Sequence, residues 1–337
     1  MTWREAMRAA LYGPGGFYAR GEPPARHFRT SARVSPAYAG AMLSLLRETD
    51  AALGHPRRLD LVDVGAGRGE LLGQVLGQAS RDPGLAARIT ARAVEITPRP
   101  DRLDPRIDWQ PSLPAAITGL VIASEWLDNV PLDVAELTPD GPRLVLVDTV
   151  TGAERPGPPL PLPDLAWSRG WWPLSAPGDR AEIGRTRCQA WAGIVRRLTR
   201  GLAVAADYGH HRSSRPWQGT LTGYRDGRVV HPIPDGSRDI TAHVALDACA
   251  DAGQKADRAA RGTATVLTTQ RQALRGLGVT GRRPPLAQAG SDPRGYARAL
   301  SEASAEAELI DAGGLGAFGW LVQAVGMDVP APLAVLG

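Results

Sequence analysis

The segment LDLVDVGAGRG at residues 59–69 restricts the fold of this chain more than any other. A short apolar run ends in Asp63, and three glycines then alternate with single residues before the helical pattern ELLGQVLGQAS. Such a run, bounded by turn residues, reads as a strand buried on both faces of a parallel sheet. Glycines let the chain turn tightly and let a ligand lie against bare backbone. A second apolar run, ITARAVEI at 89–96, follows the helix. Strand, glycine turn, helix and strand open a doubly wound, Rossmann-like α/β sheet.

Further strands are predicted at 106–109, 120–124, 202–209, 263–267 and 319–325. Between the fourth and fifth, two alternating runs, 132–138 and 143–149, flank Pro139-Asp140-Gly141 and predict a hairpin. The Pro-rich stretch 154–165 predicts an extended connector, and 180–200 has helical spacing. A second hairpin is expected in 219–231 around Asp226-Gly227, and a capped helix over 239–253. Residues 2–11 read as a short amphipathic helix, and 13–34 as a cover rich in glycine and polar residues. Ser35 and Pro36 then start another helix as N-cap and first residue. The expected organisation is an N-terminal helical and lid segment over 1–55, a main domain over 56–325 with an insertion at about 131–200, and a tail over 326–337.

Composition removes several classes. Of the 337 residues, 43% are hydrophobic and 22% charged, enough apolar material for a large core and too much for global disorder. The net charge is +4, but the arginines are scattered and Lys255 is the only lysine, so no basic stripe suggests a nucleic-acid partner. Cys188 and Cys249 make neither a disulfide framework nor a metal site and are expected as reduced, packed thiols. The N-terminal residues lack the apolar core of a signal peptide, and no stretch is apolar enough to span a membrane. The expected location is the cytoplasm.

Two cofactors use a glycine turn after a strand. A dinucleotide motif would place Glu70 at the third glycine, beside a pyrophosphate it would repel. The alternative spacing, Asp63, Gly65, Gly67 and Gly69, resembles the first motif of the class I S-adenosylmethionine (SAM) methyltransferases. That ligand has no phosphate, and its ammonium group suits a carboxylate. The candidate cofactor-binding residues are Asp63, Gly65, Ala66, Gly67, Gly69 and Glu95, the last ending the second strand where ribose hydroxyls are bound. A turn with no ligand is the plain alternative.

SEWLDNVP at 124–131 follows the fourth strand. Glu125 and Asp128 are three apart, so on a helical turn they would share a face and could orient or deprotonate a nitrogen nucleophile. They could equally be a helix-start pair favoured by the macrodipole. His210, His211, His231 and His243 lack i, i+4 ligand spacing, and no metal is expected. The Trp171-Trp172 pair reads as packing. The chain contains neither G-x-S-x-G nor a Walker-A glycine–lysine motif.

Taken together, LVDVGAGRGELL, AVEITP, ASEWLDNVPLDV, AADYGHHR and DITAHV resemble, in order, segments of the MidA-like methyltransferases, the family of the mitochondrial complex I assembly-factor methyltransferase. LYGPGGFY, FRTSARVSP and TTQRQALRGLGV extend the resemblance over roughly residues 5–325. It implies a SAM-dependent methyltransferase that modifies an arginine in a protein, a subunit of respiratory NADH:quinone oxidoreductase. It also implies that Gly65, Gly67, Gly69 and Glu95 hold SAM while Glu125 and Asp128 line the reaction centre. The sequence departs from the family where an acidic Ser-Pro-Glu is replaced by Ser31-Ala32-Arg33, and where His27 replaces an aspartate. A small-molecule methyltransferase and a non-catalytic SAM-binding assembly factor therefore stand as alternatives.

Overall fold

The computed structural model of the chain describes residues 1–20, 30–257 and 262–334. Two compact units are formed. One comprises Arg29–Glu125, Ile194–Ala206 and Ala256–Gly337; the other comprises Met1–Phe28, Trp126–Gly193 and Asp207–Lys255. Residues 1–55, read from the sequence as one leading segment, contribute to both.

The first unit is built on a seven-stranded sheet. Its strand order is Thr263–Thr269, Gly319–Val325, Leu198–Asp207, Ile117–Ser124, Leu59–Val64, Ile89–Val94 and Ile107–Gln110. Leu59–Val64 lies in parallel between Ile89–Val94 and Ile117–Ser124, with Asp63 opposite Ala93 on one side and Ile122 on the other. All six of its residues are buried, as its unbroken apolar run requires. Chain order reverses between this strand and Ile117–Ser124. In open α/β sheets, ligands bind beyond the carboxyl ends of the strands at such a switch point. The strand ends are tied in line there: Gly65 N–H donates to Val94 O at 2.9 Å, Glu95 N–H to Gln110 O at 2.9 Å, and Glu125 N–H to Ala206 O at 2.8 Å.

Helix Pro36–Ala52 begins as predicted, with Ser35 Oγ accepting from Ala37 N–H at 3.1 Å. It buries Tyr38, Met42, Leu45 and Leu46 in the core that holds Leu61, Leu72 and Trp320. Part of the expected cover, residues 21–29, lies outside the described residues. Beyond it, Ser31–Val34 form one helical turn whose Ala32 carbonyl accepts from Gln74 Nε2 at 3.2 Å.

The second unit holds a four-stranded antiparallel sheet, ordered Glu154–Pro159, Gly141–Val147, Asp133–Thr138, Arg180–Ile183. The predicted hairpin is present, with Thr138 opposite Gly141. The Pro-rich stretch is not a free connector. Glu154–Pro159 is an edge strand and Leu162–Trp171 a helix. Proline is tolerated at a sheet edge, where its missing N–H costs no ladder bond.

The second predicted hairpin is also present, Arg225 opposite Arg228. The helix expected over 239–253 is shorter than the sequence suggested. Asp239–Thr241 is instead a strand paired with Thr222–Arg225, and the helix runs only over Leu246–Ala256. Sheet pairing at Ile240 and Thr241 suits their β-branched side chains.

Helix Trp3–Tyr12 carries a complete Thr2/Glu5 capping box and buries Trp3, Met7 and Leu11 in a core with Val134, Val147 and Ile240. Cys188 and Cys249 are free and buried, as expected of packed thiols, but they are neighbours, with their sulfurs 3.9 Å apart.

Candidate functional site

The glycine turn takes the shape its sequence demands. Gly65, Gly67 and Gly69 have φ of 73°, 58° and 78°, a region that side-chain-bearing residues rarely adopt. Gly69 is the N-cap of helix Glu70–Ala79. A Cβ added to Gly67 would meet no atom within 4 Å, so the backbone there borders open space. Glu95 is fixed against the turn. Its Oε2 accepts from Gly67 N–H at 3.0 Å, while Oε1 accepts from Ile96 N–H at 2.8 Å and Thr97 N–H at 3.0 Å.

Asp63 is 4% exposed, and its carboxyl accepts no hydrogen bond among the described residues. Burial, with the negative charges of Glu95 and Glu70 added, pushes it up to about 8. An uncompensated buried carboxyl beside open, side-chain-free backbone can receive an ammonium group. Glu95, just past the end of the adjacent strand, retains lone pairs for hydroxyl donors. These residues fit a ligand with an amino-acid end and a ribose.

The two acids after the fourth strand do not share a helical face. Glu125 has a left-handed backbone, φ 51°, and Asp128 lies in the separate 3₁₀ turn Leu127–Asn129. The i, i+3 argument needs a continuous helix, and the left-handed residue prevents one. In the sheet-bearing unit, Glu125 Oε1 accepts from Ser31 N–H at 2.9 Å. The altered Ser31-Ala32-Arg33 segment is thus tied to this acid, while Arg33 reaches Glu70 at 3.7 Å.

Asp128 belongs to the other unit and is 5% exposed. Its Oδ2 accepts from Thr241 Oγ1 at 2.7 Å, while its Oδ1 has no hydrogen-bond partner among the described residues. Burial raises its carboxyl above the ordinary range. Its backbone is gripped from two sides. Asp207 Oδ2 accepts from Leu127 N–H at 2.9 Å and Asp128 N–H at 3.2 Å. Arg187, 1% exposed, donates to the carbonyls of Asp128, Val130, Ala242 and His243. One guanidinium thereby joins the LDN turn to the DITAHV segment.

Sequence reading passed over Arg187, Tyr18 and Asp239 as site residues. Asp239 and Thr241 were visible only as part of a family-like motif, and Arg187 had no signal among the other arginines. Of the histidines, His210 is buried edge-on against Trp172 at 4.7 Å, and His243 stacks on Tyr208 at 5.7 Å.

Over residues 43–264 the chain matches the model of a family described as "Putative S-adenosyl-L-methionine-dependent methyltransferase", and it belongs to that family. The cofactor named in that family's description is SAM. The chain is similar to the Xenopus tropicalis mitochondrial protein arginine methyltransferase NDUFAF7, with 26% identity over 294 residues, 72% of this chain. It spans 65% of the length of that relative. In fold it resembles a Burkholderia thailandensis protein, a candidate methyl transferase bound to S-adenosylhomocysteine. The TM-score is 0.81 at 23% identity, covering 99% of this chain and 90% of that one. A second, native structure of a Burkholderia thailandensis protein gives 0.79 at 24% identity, covering 99% and 89%.

Proposed function

We propose that this methyltransferase modifies an arginine side chain of a protein, and that a subunit of respiratory NADH:quinone oxidoreductase is the acceptor. The observation that carries the reading is the buried Asp128 carboxyl with one oxygen left without a partner. The similarity to a Xenopus protein arginine methyltransferase supports the arginine acceptor. Asp63, Gly65, Ala66, Gly67, Gly69 and Glu95 would hold the cofactor: Asp63 at its ammonium, Glu95 at its ribose, and the glycine backbone alongside. When bound, SAM supplies an electrophilic methyl group on a sulfonium.

The remaining work falls to the protein. Displacement at a methyl carbon is in-line, so positioning of the nucleophile dominates. An arginine is protonated at any ordinary pH and must give up a proton for its nitrogen to end as a methylated guanidinium of unchanged charge. Asp128 orients that nitrogen by a charge-assisted hydrogen bond and takes the proton. Glu125, held by the Ser31 N–H at the end of strand Ile117–Ser124, is the second candidate acid.

The test is to incubate the enzyme with methyl-labelled SAM in a lysate of the parent organism, then hydrolyse the labelled material. Label recovered as methylarginine from a protein is the expected result. Label confined to small metabolites, or in another amino acid, overturns the reading.

A further inference from the structure

Within the unit that contains Asp128, three chain segments bring polar groups to one buried place. Asp239 and Thr241 are two apart on one strand, so their side chains leave the same face. Thr241 Oγ1 reaches Asp128 Oδ2 at 2.7 Å, and Asp239 Oδ1 accepts from Asn129 Nδ2 at 3.0 Å. Two carboxyl groups therefore face one cluster, 2% and 5% exposed for Asp239 and Asp128. Tyr18 OH lies 2.9 Å from Asn129 Oδ1 and 3.3 Å from Asp239 Oδ1, its one proton facing both acceptors. Tyr12 stacks on Tyr18, with ring centroids 5.5 Å apart, and donates to the Asn129 carbonyl at 3.0 Å.

Among the described residues, Arg187 is the cation facing this cluster, and it is hydrogen-bonded to backbone. Arg187 donates four hydrogen bonds to backbone carbonyls, and Glu182 and Asp207 add further negative charge around it. The charge of Asp128 acts on Asp239, Tyr18 and Tyr224, and its Oδ1 has no partner. The result is a buried place with surplus acid, a polar atom without a partner and a wall of phenol rings. Paired carboxylates match the fork of a guanidinium, and aromatic faces attract its charge.

We propose that Asp239, with Asp128 and beside Tyr18, binds the guanidinium of the methyl acceptor, making Asp239 rather than Glu125 the second carboxylate of the acceptor site. This rests on the arginine reading above. The protonation state supports it. Burial, and next the charge of Asp128, hold the Asp239 carboxyl up to about 8, so near neutral pH it carries a proton. A guanidinium stays charged at that pH. Its arrival ionises Asp239, and the displaced proton passes to the buffer.

The experiment is calorimetry at pH 7 on the S-adenosylhomocysteine-loaded enzyme, in two buffers of different ionisation enthalpy. The probe is ethylguanidinium, and ethylurea is its neutral counterpart. Ethylguanidinium should bind about tenfold or more tightly than ethylurea, the span of one or two charged hydrogen bonds, with close to one proton released. Asp239→Asn should keep the parent affinity for S-adenosylhomocysteine within about twofold, which shows that it is folded. It should weaken ethylguanidinium about tenfold or more and abolish the proton release. Tyr18→Phe, which keeps the ring, should weaken it a few-fold.

Parent-like affinity and proton release in Asp239→Asn would overturn the proposal, as would equal binding of the two probes by the parent enzyme. The arginine reading fails separately. If label in the lysate reaches a protein arginine while Asp239→Asn behaves as the parent, only Asp239 loses its role. If the probe binds with Asp239-dependent proton release while label goes elsewhere, the guanidinium site stands and the protein-arginine acceptor falls.

Discussion

The glycine turn and the acidic cluster are both buried polar sites, yet they are assembled differently. Asp63 and the three glycines lie within seven consecutive residues, and Glu95 joins them through the adjacent strand. Local sequence alone therefore sets most of that geometry. The cluster around Asp128 draws on Tyr18, the Leu127–Asn129 turn and the strand Asp239–Thr241, with Arg187 clamping the last two. Its partners are separated by more than a hundred positions in the chain. A site made from one turn should fail locally and completely. A site made from distant segments should fail in graded steps, each shared with the packing around it.

The largest effect is expected at the turn. Gly67→Val would place a branched side chain in open space beside a backbone of φ 58°. The added Cβ meets no described atom within 4 Å, so the fold should survive with a strain cost of about 1–2 kcal/mol. SAM and S-adenosylhomocysteine binding by calorimetry should fall below detection. Parent-like affinity in a folded Gly67→Val protein would show that the cofactor does not lie along this turn.

The acids come next. Asp128→Asn should depress turnover by about 10²–10⁴, the usual span for a group that moves a proton, with S-adenosylhomocysteine affinity changed only a few-fold. Glu125→Gln separates the two units' roles. It should leave cofactor affinity within a few-fold and lower turnover less than Asp128→Asn does. Loss of cofactor binding in Glu125→Gln would move that acid to the cofactor side of the comparison.

A smaller effect should appear with pH. Asp63 keeps its proton up to about 8 in the folded protein, whereas an unfolded aspartate loses it near 3.9. Between those values folding takes up a proton, so this group makes stability fall as pH rises. An ammonium-bearing ligand needs the ionised form, so its affinity should rise from pH 5.5 to 7.5, by up to about tenfold per unit. Asp63→Asn should flatten that profile. A profile equally steep in the variant would assign the titration to another group.

The same contrast explains what could be read from the chain. The seven-stranded sheet, both hairpins and the cap at Ser35 follow from apolar runs, turn residues and a Ser-Pro start, all local signals. Glu154–Pro159 was misread because proline opposes strand pairing everywhere except at an edge, and which strand lies at an edge is a tertiary fact. The shared face of Glu125 and Asp128 was misread because a left-handed glutamate is invisible in composition. Asp239 looked like a helix N-terminus because Ala242–Ala250 has helical character, while the pairing of Thr241 with Thr222 decided otherwise.

The smallest expected effect tests the graded character of the cluster. Thr241→Val keeps the shape and β-branching of the side chain, so the strand Asp239–Thr241 should persist. It removes the hydroxyl that donates to Asp128 Oδ2 at 2.7 Å, leaving both oxygens of a buried carboxyl without a side-chain donor. Losing one partner of a buried hydrogen bond costs about 1–3 kcal/mol, and protonation of Asp128 can recover part of that. Denaturant unfolding should therefore show a loss of about 1–2 kcal/mol. Turnover should fall because the carboxyl is more often protonated, and the loss should shrink as pH rises. Cofactor affinity, set by a turn in the other unit, should not change. A Thr241→Val enzyme as active and stable as the parent would mean that Asp128 is held by its backbone clamps alone. A fall in cofactor affinity would mean that the turn and the cluster are not independent sites.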